Sequence, residues 1–202
     1  MAGPLLTLTL PHWFDAALRG RPADLPSPEA RMALVLDLAR RNVEEGKGGP
    51  FAAAIFERDS GRLVSAGVNL VMPMNCCLLH AEVVAIIAAQ RKLATFDLGS
   101  NGLPAMELVA STEPCVMCYG AVTWSGVRRL VCGARDEDAR AIGFDEGAKP
   151  PRWADALRAR GIDVVENVLR DEAAAILIRY RERGGFIYNA RQGPAPVPPP
   201  LP

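Results

Sequence analysis

An α/β fold, built as a three-layer α/β/α sandwich around a five-stranded mixed sheet, is what this 202-residue sequence predicts. Three observations point to it. Two strand-like runs flank Asp59-Ser60-Gly61 and read as an antiparallel hairpin. Buried-strand candidates at 105–111 and 128–134 are each followed by helix-forming sequence, and a further strand–helix pair lies near the end of the chain. A hairpin pairs antiparallel and a strand–helix–strand crossover pairs parallel, so the sheet must be mixed.

Each element follows in order. Residues 1–27 are Pro-rich and weakly patterned, and are expected to form an N-terminal arm outside the central fold. Ser27 is then a natural N-cap, Pro28 suits a first helical turn where its missing N–H is not needed, and Glu29 faces the positive end of the helix dipole. Met32, Val35, Leu36, Ala39 and Val43 recur on one face, and the chain from Gly46 onward ends the helix. The hairpin "PFAAAIFERDSGRLVSAGVN" comes next, and a loop through "MPMNCC" leads to a helix from about His80 to Leu93. "AMELVAS" is a buried strand, "CVMCYGAVTWS" opens a helix directly after it, and "RRLVCGA" is another strand. A Gly/Pro-rich loop, a helix near 153–160, a strand at 163–165 and a helix near 171–183 complete the domain, expected to span 28–192. The Pro-rich stretch 193–202 is expected to be a disordered tail of polyproline II character.

Composition excludes several classes of function. Lys and Arg number 23, Asp and Glu 23, and the formal net charge is zero. A nucleic-acid-binding domain is expected to carry a basic surplus or stripe, and neither is present. No stretch approaches the roughly 18 consecutive apolar residues of a membrane span, and the start lacks the basic segment of a secretory signal. Five cysteines is an odd number, and their spacing suggests a metal site or free thiols in a cytoplasmic protein. A small-molecule partner is the expectation that survives.

The chemistry concentrates around His80, one of only two histidines. The other, His12, lies in the arm and reads as a surface residue. His80 opens a helix in "LLHAEVVA". "TEPCVMC" opens another, with Cys115 and Cys118 three residues apart on one face. A helix N-terminus favours the thiolate that binds metal. Two thiolates and an imidazole suit zinc, and three protein ligands with one position left open is the pattern of a catalytic rather than a structural site. Glu82 then stands near the metal without being needed as a ligand, where its carboxylate can move a proton between water and substrate. A single CxxC is also found in redox pairs and in half of a structural zinc site; it is the joint occurrence with His80-Ala81-Glu82 that carries the reading. Cys132, inside a strand run, reads as a buried apolar thiol, and Cys76 and Cys77 precede the site without being required by it.

The H-x-E…P-C-x-x-C arrangement is the signature of zinc-dependent nucleobase deaminases. From about Glu29 to Gln192 the sequence resembles the cytidine deaminase-like superfamily and, within it, the bacterial guanine deaminases. "GGPFAAAIFERDSG", "GVN", "HAEVVAI", "STEPCVMCYGAVTWSGVRRLVCGA", "AIGFDEG" and "IYNAR" carry that resemblance. It implies one zinc per chain and hydrolytic deamination of a free heterocycle, guanine to xanthine plus ammonia, with ammeline to ammelide as a second reaction. It further implies that Asn69 and the backbone around Ala81 bind the base, with Phe51, Trp124 and Phe144 as walls. "GFDEG" would supply a second catalytic carboxylate, Glu146, with Asp145 as the alternative. The resemblance also implies a homodimer whose C-terminal segment, "GGFIYNAR", closes the partner's pocket and brings Tyr188, Asn189 and Arg191 to its border.

Three other readings compete. A tRNA adenosine deaminase would share the motifs but need a basic surface. A cytosine- or pterin-type deaminase would differ only in its pocket. A binding module with structural zinc would need a fourth ligand, Cys76 or Cys77, and would leave Glu82 idle.

Overall fold

A computed structural model describes residues 7–45 and 48–191. The sheet has the expected five strands: β1 (Ala52–Glu57), β2 (Leu63–Val68), β3 (Met106–Thr112), β4 (Arg129–Ala134) and β5 (Asp163–Val165), in spatial order β2-β1-β3-β4-β5. β1 pairs antiparallel with β2 and β3, whereas β3–β4 and β4–β5 are parallel. The hairpin turns at Gly61, whose φ of +75° suits glycine.

Helices cover both faces. One layer holds α1 (Phe14–Leu18), α2 (Pro28–Glu44), α5 (Asp136–Ala141) and α7 (Arg170–Glu182), with Met32, Val35, Leu38, Ala139 and Leu177 buried against Phe56, Val109 and Val131. The other holds α3 (Ala81–Lys92), α4 (Val116–Ser125) and α6 (Trp153–Arg158), with Ala85, Val122 and Leu157 buried against Ile55, Leu108 and Leu130. Ser27 caps α2, its hydroxyl accepting from the Ala30 amide at 3.1 Å. Gly46, expected to end that helix, and the tail from 193 lie outside the described residues.

Two elements depart from expectation. The segment before Ser27 does not stand apart from the fold: α1 seats Trp13, Phe14 and Ala17 in the core beside α2, and Asp24 bridges to Arg62 at the hairpin. Prolines and a five-residue length hid that helix. α5 replaces part of the expected loop after β4; it is six residues long and buries only Ala139, too little to set up an apolar period.

A buried ion pair ties α2 to the middle of the sheet. Arg31 donates to Glu107 at 2.5 Å, to the Arg58 carbonyl at 3.0 Å and to the Leu25 carbonyl at 2.6 Å. Both side chains are almost fully buried. Removing one partner strands a charge, so Arg31→Met is expected to destabilise the fold by about 3–5 kcal/mol, read from urea unfolding. Combining it with Glu107→Leu should recover part of that loss; a single variant as stable as the parent would show that the pair is not a structural tie.

Candidate active site

Two helix N-termini meet at one edge of the sheet, at the carboxyl ends of β3 and β4, where open α/β sheets place their ligands. His80 is the N-cap of α3 and Cys115 the N-cap of α4. Pro114 ends β3's extended run, and the Cys115 sulfur takes the acceptor role usual for a capping oxygen, receiving the Cys118 amide at 3.5 Å. Nδ1 of His80 lies 3.4 Å from Sγ of Cys115 and 3.6 Å from Sγ of Cys118. All three ligand atoms lie within 4.8 Å of one another, and no fourth protein ligand joins them among the described residues. Ligands of a tetrahedral zinc stand about 3.6 Å apart given Zn–N and Zn–S bonds of about 2.0–2.3 Å, so the set fits that ion.

The charges around these atoms favour the same conclusion. Hydrogen bonding from Cys118, and then His80, pulls the Cys115 thiol down to about 4 against its burial. The bond to Cys115 and burial push Cys118 well up. At His80, burial works against the proton, but Cys115 and the charge of Glu82 outweigh it and raise the imidazole. Burial, then Cys115, raises Glu82. Burial, then Cys115 and Glu82, lifts Glu146 to about 8. The thiols of Cys115 and Cys118 and the buried carboxylates of Glu82 and Glu146 crowd a desolvated space that buried Glu113 also lines, and its described lining holds no lysine or arginine. Such a donor set is relieved by a divalent cation.

Around the ligands lies a cavity of about 300 Å³. Its lining includes Phe51, Asn69, His80, Glu82, Phe144, Glu146 and Tyr188. Both carboxylates are buried, Glu82 at 8% and Glu146 at 7% exposure. Phe144 packs edge-on against Phe51 at 5.0 Å and against Tyr188 at 4.9 Å, forming an aromatic wall. Tyr188 arrives on the segment after α7. Gly184, at φ +72°, turns the chain out of that helix, and the Tyr180 hydroxyl donates to the Phe186 carbonyl at 2.6 Å. Asn189 then fastens the segment to the loop before Glu146, donating to the Gly143 carbonyl at 2.9 Å and accepting from the Asp145 amide at 2.8 Å.

The remaining expected residues divide. Asp145 is largely exposed at the rim while Glu146 is buried. Ala81 adjoins His80 but turns its side chain into the core, so its neighbours form the wall there. Trp124 is a correction. It is 85% exposed, outside the cavity lining, and nine residues beyond Cys115 along α4, about 13 Å of helix rise away. Within one chain it cannot wall the pocket. Cys77 reaches the exposed rim, Cys132 is buried in β4, His12 is exposed in the segment before α1, and Arg191 is exposed away from the lining.

Sequence reading missed Asn42. Its buried side chain donates to the Gly49 carbonyl at 2.8 Å and the Asn69 carbonyl at 3.0 Å, fixing Asn69 at the cavity wall. A lone amide on the apolar face of α2 was the available signal. Gly49 has no room for a side chain, because a methyl there would strike the Tyr188 hydroxyl.

An α/β/α sandwich with a three-ligand metal centre flanked by two buried carboxylates defines a class of metal-dependent hydrolytic enzyme. Residues 26–134 match the cytidine and deoxycytidylate deaminase zinc-binding region, and the chain belongs to that family. It is 35% identical over 118 residues to guanine deaminase of Bacillus subtilis, a match covering 58% of this chain and 71% of the relative. A solved guanine deaminase from Nitrosomonas europaea superposes with a TM-score of 0.85 at 53% identity, covering 90% of this chain and 99% of that one. A mutant structure in complex with 8-azaguanine superposes with a TM-score of 0.84 at 54% identity, covering 88% and 97%.

Chelation is expected to abolish activity yet leave the fold, because α3 and α4 are each packed on the sheet through Val84, Ala85 and Val122 independently of the ligands. Circular dichroism before and after chelation, with activity regained on returning zinc, checks this; unfolding on chelation would mark the centre as structural.

Proposed function

We propose that this chain is a zinc-dependent aminohydrolase that converts guanine and water to xanthine and ammonia. The observation that carries the proposal is the pair of buried carboxylates, Glu82 and Glu146, beside one three-ligand site in a cavity with an aromatic wall. The bound guanine analogue of the related structure supports it. At about 300 Å³ the cavity lies at the small end for ligand sites and suits a free base. The triazine ammeline is the second substrate, flat and similarly substituted.

His80, Cys115 and Cys118 hold the metal, which when bound supplies Lewis acidity that makes water a nucleophile near neutral pH. Glu82 takes a proton from the attacking water and passes it to a ring nitrogen. Glu146, which burial lifts to about 8, guides a proton to the exocyclic amine so that it leaves as ammonia. Phe51, Phe144 and Tyr188 bound the flat ring, and Asn69, held by Asn42, offers its amide to the ring edge. Hydrolysis of an amidine at a dry site needs both proton transfers, so two carboxylates divide the work.

The chain acts as a cytoplasmic homodimer in this reading. Five unpaired thiols suit a reducing compartment. Val116 and Trp124 are exposed on α4, and Phe96 is exposed near its C-terminal end, giving apolar groups that a second copy would cover. Residues 188–190 line their own chain's cavity; in an exchanged dimer they would line the partner's.

Ammonia release should appear with guanine or ammeline and not with cytosine, guanosine or a tRNA anticodon stem-loop. Glu82→Gln is expected to keep about one zinc per chain and lose about 10³-fold in turnover, and Glu146→Ala to lose about 10²-fold with zinc retained. Activity on the RNA alone, or near-parental kinetics in both variants, would sink the proposal. Trp124→Glu should shift sedimentation from dimer to monomer.

A further inference from the structure

Lys149 is a buried cation without a part in the scheme above. Its side chain is 4% exposed, and its ammonium lies 3.7 Å from Glu113 and 3.5 Å from Asp136. The same ammonium sits 5.0 Å from the centroid of the Trp153 ring, with no hydrogen bond among the described residues. Burying a charge is costly, and an apolar residue would fill this volume without that cost. A neighbouring cavity does not account for it: Glu113, Asp136 and Glu137 offset Arg135, Arg140 and Lys149 there, so it is not an anion site.

What the ammonium joins is informative. Glu113 stands two residues before the ligand Cys115, and Asp136 begins α5. Lys149 itself is three residues after Glu146. On the near side, the Glu146 carbonyl accepts from the Val116 amide at 3.0 Å, and Arg140 donates to the Gly147 carbonyl at 2.6 Å. Beyond Gly147, residues 148–151 make no backbone–backbone hydrogen bond to another element among the described residues. Lys149 is the buried anchor on that side.

We infer that Lys149 is a positioning residue for Glu146. Its ammonium, clasped by Glu113 and Asp136 over Trp153, fixes the loop so that the Glu146 carboxyl stays over the ligand set. The inference rests on the role proposed for Glu146. A displacement of about 1 Å at a reacting group can cost about 10²-fold in rate, so a remote tether can matter this much.

The test is a double-mutant cycle with a second readout by hydrogen exchange. Lys149→Met should lower kcat about 10–100-fold, with KM within about threefold of the parent and about one zinc per chain. In a Glu146→Ala background the same change should cost nothing further. The Val116 and Gly147 amides should exchange faster in Lys149→Met while those of β3 keep their protection. Should the methionine variant not fold, Lys149→Arg, which keeps the charge but replaces the compact ammonium with a broader planar head, is read in the same way. Unchanged kcat, a loss that multiplies with Glu146→Ala, or a loss traced to missing zinc overturns the inference. Silence of the parent enzyme on every heterocycle would instead overturn the proposed function, and unaltered exchange at Val116 and Gly147 would then overturn this inference separately.

Discussion

Two helix N-termini have to meet within ligand-to-ligand distance, and most of the molecule can be understood as the frame that makes them do so. His80 and Cys115 are both N-caps, so their backbones are extended and their side chains project beyond the helix starts. α3 reaches this point from the end of β2 through the loop at 69–80, and α4 reaches it directly from β3. Those strands are not neighbours. β1 lies between them, paired antiparallel to both, and so sets the separation of the two helices on the sheet. The sequence spacing of His80 and Cys115 therefore matters less than the sheet order.

Bringing the ligands together also gathers acidic groups. Cys115, Cys118, Glu82 and Glu146 occupy a dry space, and each one's titration is displaced by burial or by the others. Without a cation this would be an expensive cluster. With one, in the proposed reaction, the metal would balance the ligands and leave the carboxylates to handle protons. The cost of the arrangement and its usefulness have one origin, the exclusion of water from around several acids.

A ring of ties outside the metal centre keeps the geometry. Arg31 and Glu107 lock α2 to β3, Asn42 holds Asn69, and Asn189 joins the C-terminal segment to the loop of Glu146. Arg31, Glu107 and Asn42 lie outside the cavity lining, whereas Asn69 and Asn189 form part of it. Together they decide whether two carboxylates and an aromatic wall stand where the ligands need them.

By itself the sequence determined the five strands and the sandwich, and it singled out His80, Cys115, Cys118 and Glu82, which the fold brings together at one cavity. Each of these follows from a local rule: an apolar period, a cap, a short spacing, a helix start. It also marked Glu146, through a resemblance rather than through chemistry visible in "GFDEG". Only the tertiary structure decided that α1 belongs to the core, that Asn42 supports Asn69, that Glu146 is buried while Asp145 is not, and that Trp124 faces away. These depend on which surfaces meet across long stretches of chain, and a polar residue's neighbours in sequence do not say whether it will be paired, buried or left in water.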